Sequence, residues 1–211
     1  MSLVAPRLPL AVSMASDGPK GSPRWRVAIL DDHERSRAAL RAAIWAAGGE
    51  VVGEAVRCAD AVALVRRGAP DVAVCAVGLP DGDGVEVARQ LIETGCPVVL
   101  FTSHTRQELV DRARSAGVMS YLLKPLRSAE LAPVLDLAVA RFSETRDLRR
   151  SLEERKIIER AKGRLMARYQ LSEDDAFRRL RRAAMDSRRP MVDIAKALLV
   201  SESVASDVPT H

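Results

Sequence analysis

Several features are missing from this 211-residue chain, and each absence argues against a class of protein. Aromatic residues make up only 3% of the sequence, so we expect a core of alanine, valine and leucine. No apolar run reaches the roughly 18 residues of a transmembrane helix. The mildly apolar stretch Leu3–Ala15 is interrupted by Pro6, Arg7 and Pro9, which makes it a poor signal peptide. We therefore expect a cytoplasmic protein without a membrane partner.

The sequence also lacks closely spaced cysteine pairs and histidines with the neighbours that a catalytic site requires. The cysteines are scattered and form no CxxC pair; they are Cys58, Cys75 and Cys96. This spacing predicts buried free thiols in a reducing compartment and argues against a disulfide or metal framework. The histidines have no nucleophile or ligand partner at a usable spacing; they are His33, His104 and His211. The sequence therefore predicts no enzymatic activity.

The positive charge of the chain is concentrated near its C-terminus. Residues 155–189 contain twelve Arg or Lys against five Asp or Glu, whereas the remainder of the chain is close to neutral. A basic segment attached to a neutral or slightly acidic body indicates a polyanionic partner such as a nucleic acid. A well-solvated helical surface would give the same charge pattern, so charge alone does not decide between the two.

Residues 25–136 alternate between short apolar runs and helical patterns. The predicted strands are Trp25–Leu30, Glu50–Glu54, Asp71–Ala76, Pro97–Phe101 and Ser120–Leu123. The predicted helices are Glu34–Ala47, Ala59–Gly68, Val85–Thr94, Arg106–Ala116 and one that begins at Ser128. Continuous apolar strands belong in a parallel sheet that helices cover on both faces. We therefore predict a doubly wound α/β fold with a five-stranded parallel sheet, preceded by a disordered tail over residues 1–24.

The C-terminal part of the chain carries helical patterns and no strand pattern. One long helix is predicted from Val134 to Tyr169, and its segment 137–154 has a three-four apolar spacing compatible with a coiled-coil dimer. Packing of this helix on its own domain is the alternative. After Ser172 as N-cap, further helices are predicted to Ser187 and over Met191–Leu199. A small three-helix domain over residues 155–200 and a flexible tail over residues 201–211 follow from this pattern.

Polar residues gather where the predicted strands end, which is where doubly wound folds place their functional sites. The pattern consists of Asp31-Asp32, Leu79-Pro80, Asp83-Gly84, Thr102 and Lys124-Pro125. It resembles the receiver domain of two-component response regulators, which has a flavodoxin-like fold. The resemblance implies that Asp31 and Asp32 hold Mg²⁺, that Thr102 and Lys124 contact a phosphoryl group, and that Tyr121 is the switch aromatic.

The position that accepts the phosphoryl group in this family is occupied by Ala76. A methyl group cannot carry a phosphoryl group, and Asp81 and Asp83 come too late in the loop to replace the missing carboxylate. Aspartyl phosphorylation is therefore not expected. Loss of a carboxylate also predicts weak or absent Mg²⁺ binding at Asp31 and Asp32. We expect Lys124 to form an ion pair with one of these two acids, with a residual metal site as the alternative.

The C-terminal helices contain three motifs in order: Ala161-Lys162-Gly163, Asp174-Asp175-Ala176-Phe177, and Arg181 followed by Ala184-Met185. Together they resemble the ANTAR domain, a three-helix RNA-binding module of transcription antiterminators. The resemblance implies binding to paired hairpins in a nascent transcript, and a homodimer would present two modules to two hairpins. The candidate RNA-contacting residues are Lys156, Arg160, Lys162, Gly163, Arg164 and Arg168.

Some of these residues have two interpretations. Gly163 would allow close approach either of a nucleotide or of a second helix. Tyr169 would either stack on an unpaired base or pack in the core beside Phe177, and we favour the core. The basic side chains would either contact phosphates or form a solvated face. The predicted core residues of this domain are Ala161, Leu165, Phe177, Leu180, Ala184, Met185 and Ile194.

Two other functions compete with RNA binding. The segment Asp193–Val204 resembles the start of a DNA-binding helix-turn-helix, although the chain that follows is too short for a recognition helix. Alternatively, the receiver face would bind a protein partner and the chain would act as an adaptor. Without an acceptor aspartate, control would come from a regulatory partner protein, from a ligand in the receiver pocket, or not at all.

Overall fold

The structure is a computed structural model that describes residues 23–206, with side chains described up to Ser201. The chain divides into two compact units, and the division falls between Glu144 and Thr145. Of the predicted N-terminal tail, only Pro23 and Arg24 lie among the described residues. Residues 207–211 of the predicted C-terminal tail also lie outside them.

The first unit contains a five-stranded parallel sheet in the order β2-β1-β3-β6-β7. Its strands are β1 (Arg26–Leu30), β2 (Glu50–Ala55), β3 (Val72–Ala76), β6 (Val98–Thr102) and β7 (Ser120–Leu123). The helices are α1 (Glu34–Ala46), α2 (Ala61–Gly68), α3 (Gly84–Glu93) and α4 (Gln107–Ser115), followed by α5 (Ser128–Tyr169). This arrangement confirms the predicted doubly wound fold. A short antiparallel pair, β4 (Gly78–Leu79) and β5 (Gly82–Asp83), was not predicted.

The sheet separates two hydrophobic cores because successive side chains of a strand point to opposite faces. Leu30, Cys75 and Leu100 belong to one core, whereas Ile29 and Val74 belong to the other. β3 and β6 are buried along their entire length, as the continuous apolar runs predict. The free thiols of Cys75 and Cys96 are also buried, and burial raises the pKa of Cys96 to about 12.

The long helix predicted before Tyr169 is confirmed: α5 is one helix of 42 residues that includes Pro133. Two further helices follow, α6 (Glu173–Ser187) and α7 (Met191–Ser206). The Oγ of Ser172 accepts a hydrogen bond from the Asp175 backbone N–H at 3.2 Å, which confirms the predicted N-cap.

α7 continues beyond the predicted end at Leu199, because no glycine or proline occurs before Pro209. The first half of the predicted flexible tail is therefore helical. The continuous helix also contradicts the helix-turn-helix interpretation, which requires a turn near Ser201.

The core of the second unit is built from α5, α6 and α7. Its buried members are Ala161, Leu165, Ala176, Leu180 and Ala195, with Ile194 partly buried against them. Three expected core residues are instead substantially exposed: Tyr169 by 43%, Phe177 by 38% and Met185 by 69%. For Phe177 and Met185 the cause is helical geometry. The residues before them, Ala176 and Ala184, are buried, and each following residue is rotated by about 100° around the helix axis.

Candidate functional site

The first candidate site is the pocket at the carboxyl end of the parallel sheet. Asp31 follows β1 and is completely buried. Its Oδ2 accepts a hydrogen bond from Lys124 Nζ at 2.6 Å, and its Oδ1 accepts one from the His33 backbone N–H at 2.8 Å. The expected ion pair of Lys124 with one of the two acids is therefore present. It joins β1 to β7, the edge strand of the sheet, across the pocket.

His33, for which we expect no nucleophile or ligand partner, lies beside these acids. His33 Nδ1 is 2.7 Å from Oδ1 of Asp32 and 3.7 Å from Oδ1 of Asp31. The expectation for His33 is therefore wrong. The chain turns from β1 into α1 here, and His33 is the N-cap residue of that helix, so consecutive side chains converge.

The end of β3 at Ala76, the predicted acceptor position, is tightly packed. Ala76 ends β3 and is almost fully buried, and the backbone of Gly84 lies against its carbonyl oxygen. A Cβ on Gly84 would lie 1.8 Å from this oxygen, so only glycine fits there. The Gly84 N–H also donates to the Val77 carbonyl at 2.7 Å. No oxygen-bearing side chain occupies the position of the missing carboxylate.

The two loop acids that follow Ala76 are used structurally. Asp81 accepts hydrogen bonds from the backbone N–H groups of Cys58 at 2.7 Å and Ala59 at 3.1 Å. The hydrogen bond from Cys58 is the main cause of the lowered pKa of Asp81, and the bond from Ala59 lowers it further. Asp83 caps α3 by accepting from the Val85 N–H at 2.9 Å, and it also pairs with Arg112.

The remaining predicted pocket residues are placed as follows. Thr102 is buried at the end of β6, and its hydroxyl accepts from the His104 N–H at 3.2 Å and donates to the His104 carbonyl at 3.0 Å. Lys124 Nζ lies 4.9 Å from the centroid of the Phe101 ring. Tyr121 lies on β7 and is about half exposed. The structure therefore brings Asp31 and Lys124 into contact, while Tyr121 is at the surface.

The pocket does not fit a Mg²⁺ ion of the type that the receiver resemblance implies. Mg²⁺ requires near-octahedral coordination by hard oxygen ligands. One oxygen of Asp31 is bound by Lys124 and the other by the His33 backbone, while Ala76 supplies none. Asp31, Asp32 and His33 place potential ligand atoms within 4.8 Å of one another, but an imidazole nitrogen is a poor substitute for a carboxylate oxygen at Mg²⁺.

An ion-pair network that we did not predict supports this pocket. Arg37 donates to the Asp31 carbonyl at 2.7 Å and to Glu54 at 3.0 Å, which connects α1 to the ends of β1 and β2. Arg41 binds Glu54 and Glu34 at 2.7 Å each. The hydrogen bond from Arg41 is the main cause of the lowered pKa of Glu34. No sequence signal pairs residues on different elements in this way.

The second candidate site is a basic face on the C-terminal half of α5. Lys156, Arg160, Gly163 and Arg164 lie on one side of the helix because they are spaced by about one and two turns. All four are exposed. A Cβ on Gly163 would meet no atom of another described element within 4 Å, so close packing against a second described helix does not explain this glycine.

Lys162 lies elsewhere. Only 9% of its side chain is exposed, and its Nζ contacts Glu173 Oε1 at 2.7 Å and Glu159 Oε1 at 2.9 Å. The hydrogen bond to Glu173 contributes most to the raised pKa of Lys162, and the same bond lowers the pKa of Glu173. Lys162 therefore joins α5 to the first turn of α6, and contact with a phosphate would require these pairs to open.

Several other basic side chains of the second unit form no ion pair within the part of the chain that the structure describes. Those that make no ion pair with any described residue are Arg146, Arg149, Arg155, Arg160, Arg179, Arg181, Arg182, Arg188, Arg189 and Lys196. Arg179 instead lies over the ring of Tyr169, with its guanidinium carbon 4.3 Å from the ring centroid. Arg168 lies 5.5 Å from the same centroid. The arginines of α6 were not among the predicted RNA-contacting residues, although the Arg-rich run 178–182 is visible in the sequence.

Comparison with known proteins divides the chain at similar positions. Residues 27–136 match the family model of the response regulator receiver domain, and residues 146–199 match that of the ANTAR domain. The transcriptional regulatory protein PdtaR of Mycobacterium tuberculosis is 36% identical over 200 residues, which cover 91% of this chain and 97% of PdtaR.

Solved structures resemble the first unit. The signal receiver domain of a modulated diguanylate cyclase from Desulfovibrio desulfuricans G20 superposes with a TM-score of 0.54 at 27% identity, covering 57% of this chain and 98% of that one. A LuxR-family two-component response regulator from Aurantimonas sp. gives a TM-score of 0.52 at 29% identity, covering 55% and 85%. Within residues 23–206, no helix has the length and apolarity needed to cross a membrane.

Proposed function

Because the chain belongs to the response regulators that join a receiver domain to a C-terminal ANTAR domain, we propose that it controls transcription by binding paired hairpins in nascent transcripts and preventing termination. The observation that carries this proposal is the set of exposed cations in the second unit that form no ion pair with any described residue. A cation that is not already paired gains more from a phosphate, since binding releases counterions without breaking an ion pair.

The proposal is tested by a gel-shift titration of untreated protein at about 0.15 M salt. The ligands are a tandem-hairpin RNA, the same RNA with scrambled loops, and duplex DNA. We expect the tandem-hairpin RNA to bind more tightly than the other two. Equal binding to all three ligands would reduce the proposal to nonspecific electrostatics, and preference for duplex DNA would contradict it.

Arg160 is expected to contact an RNA phosphate. Replacing it with glutamine should weaken RNA binding about fivefold and reduce the slope of log K against log salt by about 0.7 to 0.9, the value for one phosphate contact. The matched control is Arg35→Gln on the exposed face of α1, which should change neither quantity. An unchanged slope for Arg160→Gln would assign Arg160 to the solvated surface. Lys156, Gly163, Arg164 and Arg168 remain further candidates for this interface.

We also propose that the receiver is not switched by aspartyl phosphorylation, since Ala76 offers no carboxylate and both loop acids have structural roles. Incubation with acetyl phosphate and Mg²⁺ should leave the intact mass unchanged. Ala76→Asp restores a carboxylate and is the positive control, with an expected gain of one phosphoryl group that hydroxylamine removes. A phosphoryl gain on the unmodified protein would contradict the proposal. Without aspartyl phosphorylation, control would rest with a regulatory protein partner or a ligand in the receiver pocket, or the protein would be constitutively active.

The linking helix is proposed to form a homodimer. Leu148 and Leu152 are 64% and 48% exposed and lie one turn apart on α5, as in a coiled-coil seam. Light scattering should give the mass of two chains for the unmodified protein and of one chain for Leu148→Glu/Leu152→Glu. Ser151→Glu, an exposed position next to the seam, is the control and should remain dimeric. A monomeric mass for the unmodified protein would exclude this dimer.

A further inference from the structure

Tyr169 is an exposed aromatic side chain in a protein with few aromatic residues. It is the last residue of α5, and the chain turns away at Gln170, which has a φ of 51°. The ring is not part of the buried core of the second unit, which consists of residues from α5, α6 and α7. Its exposure of 43% leaves a substantial part of the ring open to solvent. Core packing therefore does not account for a tyrosine at this position.

The ring is held by arginines. The guanidinium carbon of Arg179 lies 4.3 Å from the ring centroid, and that of Arg168 lies 5.5 Å from it. Arg179 has no carboxylate partner among the described residues, because the nearby Asp175 is bound by Ser172 and Arg178. A guanidinium on an aromatic face restricts the ring to a defined orientation. Tyr169 is therefore positioned before any ligand arrives.

A positioned ring beside the guanidinium group of Arg179 is suited to a nucleobase and its phosphate. Unpaired bases of RNA loops stack on aromatic rings and on guanidinium planes, whereas bases inside a duplex are not available for such stacking. Arg182 lies one turn beyond Arg179 on α6 and makes no ion pair within the described part of the chain. It would be placed to contact the phosphate that follows the stacked base.

We infer that Tyr169 and Arg179 form a stacking site for an unpaired base of single-stranded RNA, at the edge between α5 and α6. This inference rests on the proposed RNA-binding function and adds a base contact to it. The site is separate from the basic face of Lys156 and Arg160, which lies on a different side of α5. Phosphate contacts at the basic face would supply affinity, whereas stacking on Tyr169 would distinguish an RNA loop from an RNA duplex.

The test compares three variants of the full chain on the tandem-hairpin RNA. Tyr169→Leu keeps an apolar side chain without a ring and should weaken binding about tenfold, the usual effect of losing one stacked base. Its salt slope should not change, since the ring carries no charge. Tyr169→Phe keeps the ring and should bind within about twofold of the unmodified protein. Arg179→Gln should weaken binding and also reduce the salt slope by about 0.7.

A second measurement reads stacking directly on the unmodified protein. The RNA carries 2-aminopurine at successive loop positions, and stacking on Tyr169 should quench its fluorescence at one position. Tyr169→Leu should abolish this quenching, and circular dichroism should show that the variant keeps its helices. If the unmodified protein binds no RNA, both the proposed function and this site are wrong. If the unmodified protein binds RNA and Tyr169→Leu binds it equally well, only the stacking site is wrong. The same conclusion follows if Tyr169→Leu loses as much affinity for loop-free duplex RNA as for the tandem-hairpin RNA.

Discussion

Replacing Leu180 with alanine is expected to abolish RNA binding by unfolding the C-terminal helices. Leu180 is 2% exposed and packs in a small core with Leu165, Ala176 and Ala195. Truncating a buried leucine costs about 3 kcal/mol, because apolar contacts are lost and a cavity remains. A core of this size contributes only about 3 to 5 kcal/mol of net stability, so most of that stability would be lost.

The expected result for Leu180→Ala is a loss of at least about 30-fold in RNA affinity, with fast amide hydrogen exchange in α6 and α7. Met185→Ala is the matched control, since Met185 lies on the same helix but is 69% exposed. The control should retain helix protection, and its unfolding free energy should change by less than about 0.5 kcal/mol. Normal RNA binding by Leu180→Ala would show that the interface does not depend on this three-helix core.

The second large effect is expected at the receiver pocket. Replacing Lys124 with alanine should lower the unfolding free energy of the first unit by about 2 to 3 kcal/mol, slightly less than for a fully buried pair. Asp31 is completely buried, and its Oδ2 would lose the bond from Lys124 Nζ at 2.6 Å. A buried carboxylate without its cation bears the full cost of desolvation.

Urea unfolding followed through the buried Trp25 would measure this change. Adding Asp31→Asn to Lys124→Ala should recover part of the lost stability, because the substitution removes the uncompensated charge. Arg127→Ala, which breaks a surface pair with Glu130, is the control and should change the unfolding free energy by less than about 0.5 kcal/mol. If Lys124→Ala were as stable as the unmodified protein, the ion pair with Asp31 would have no structural role.

Much of the fold follows from local sequence patterns. The run Val72–Ala76 is apolar throughout, and its burial as β3 in the centre of the sheet follows from that pattern. The cap at Ser172 is equally local, since its partner is the backbone three residues later. The missing carboxylate at Ala76 is also a property of the sequence, because strand and loop motifs define its register.

The sites depend on contacts that the sequence does not specify. Asp31 and Lys124 are 93 positions apart, and the prediction that Lys124 pairs with Asp31 or Asp32 depended on the resemblance to a receiver domain, in which parallel strands end at the same edge of a sheet. The sequence does not show whether Lys124 contacts Asp31 or Asp32, because this depends on the direction of each side chain. In the structure Lys124 contacts Asp31, which is buried.

The sequence by itself therefore determined the fold of the first unit and the family, because periodicity and motifs are local properties. Only the tertiary structure decided the roles of individual basic and aromatic residues. Lys162 and Arg160 are two positions apart on α5, yet the first is enclosed between Glu159 and Glu173 and the second is exposed. The difference arises because a rotation of about 200° along a helix decides which residue meets the neighbouring helix.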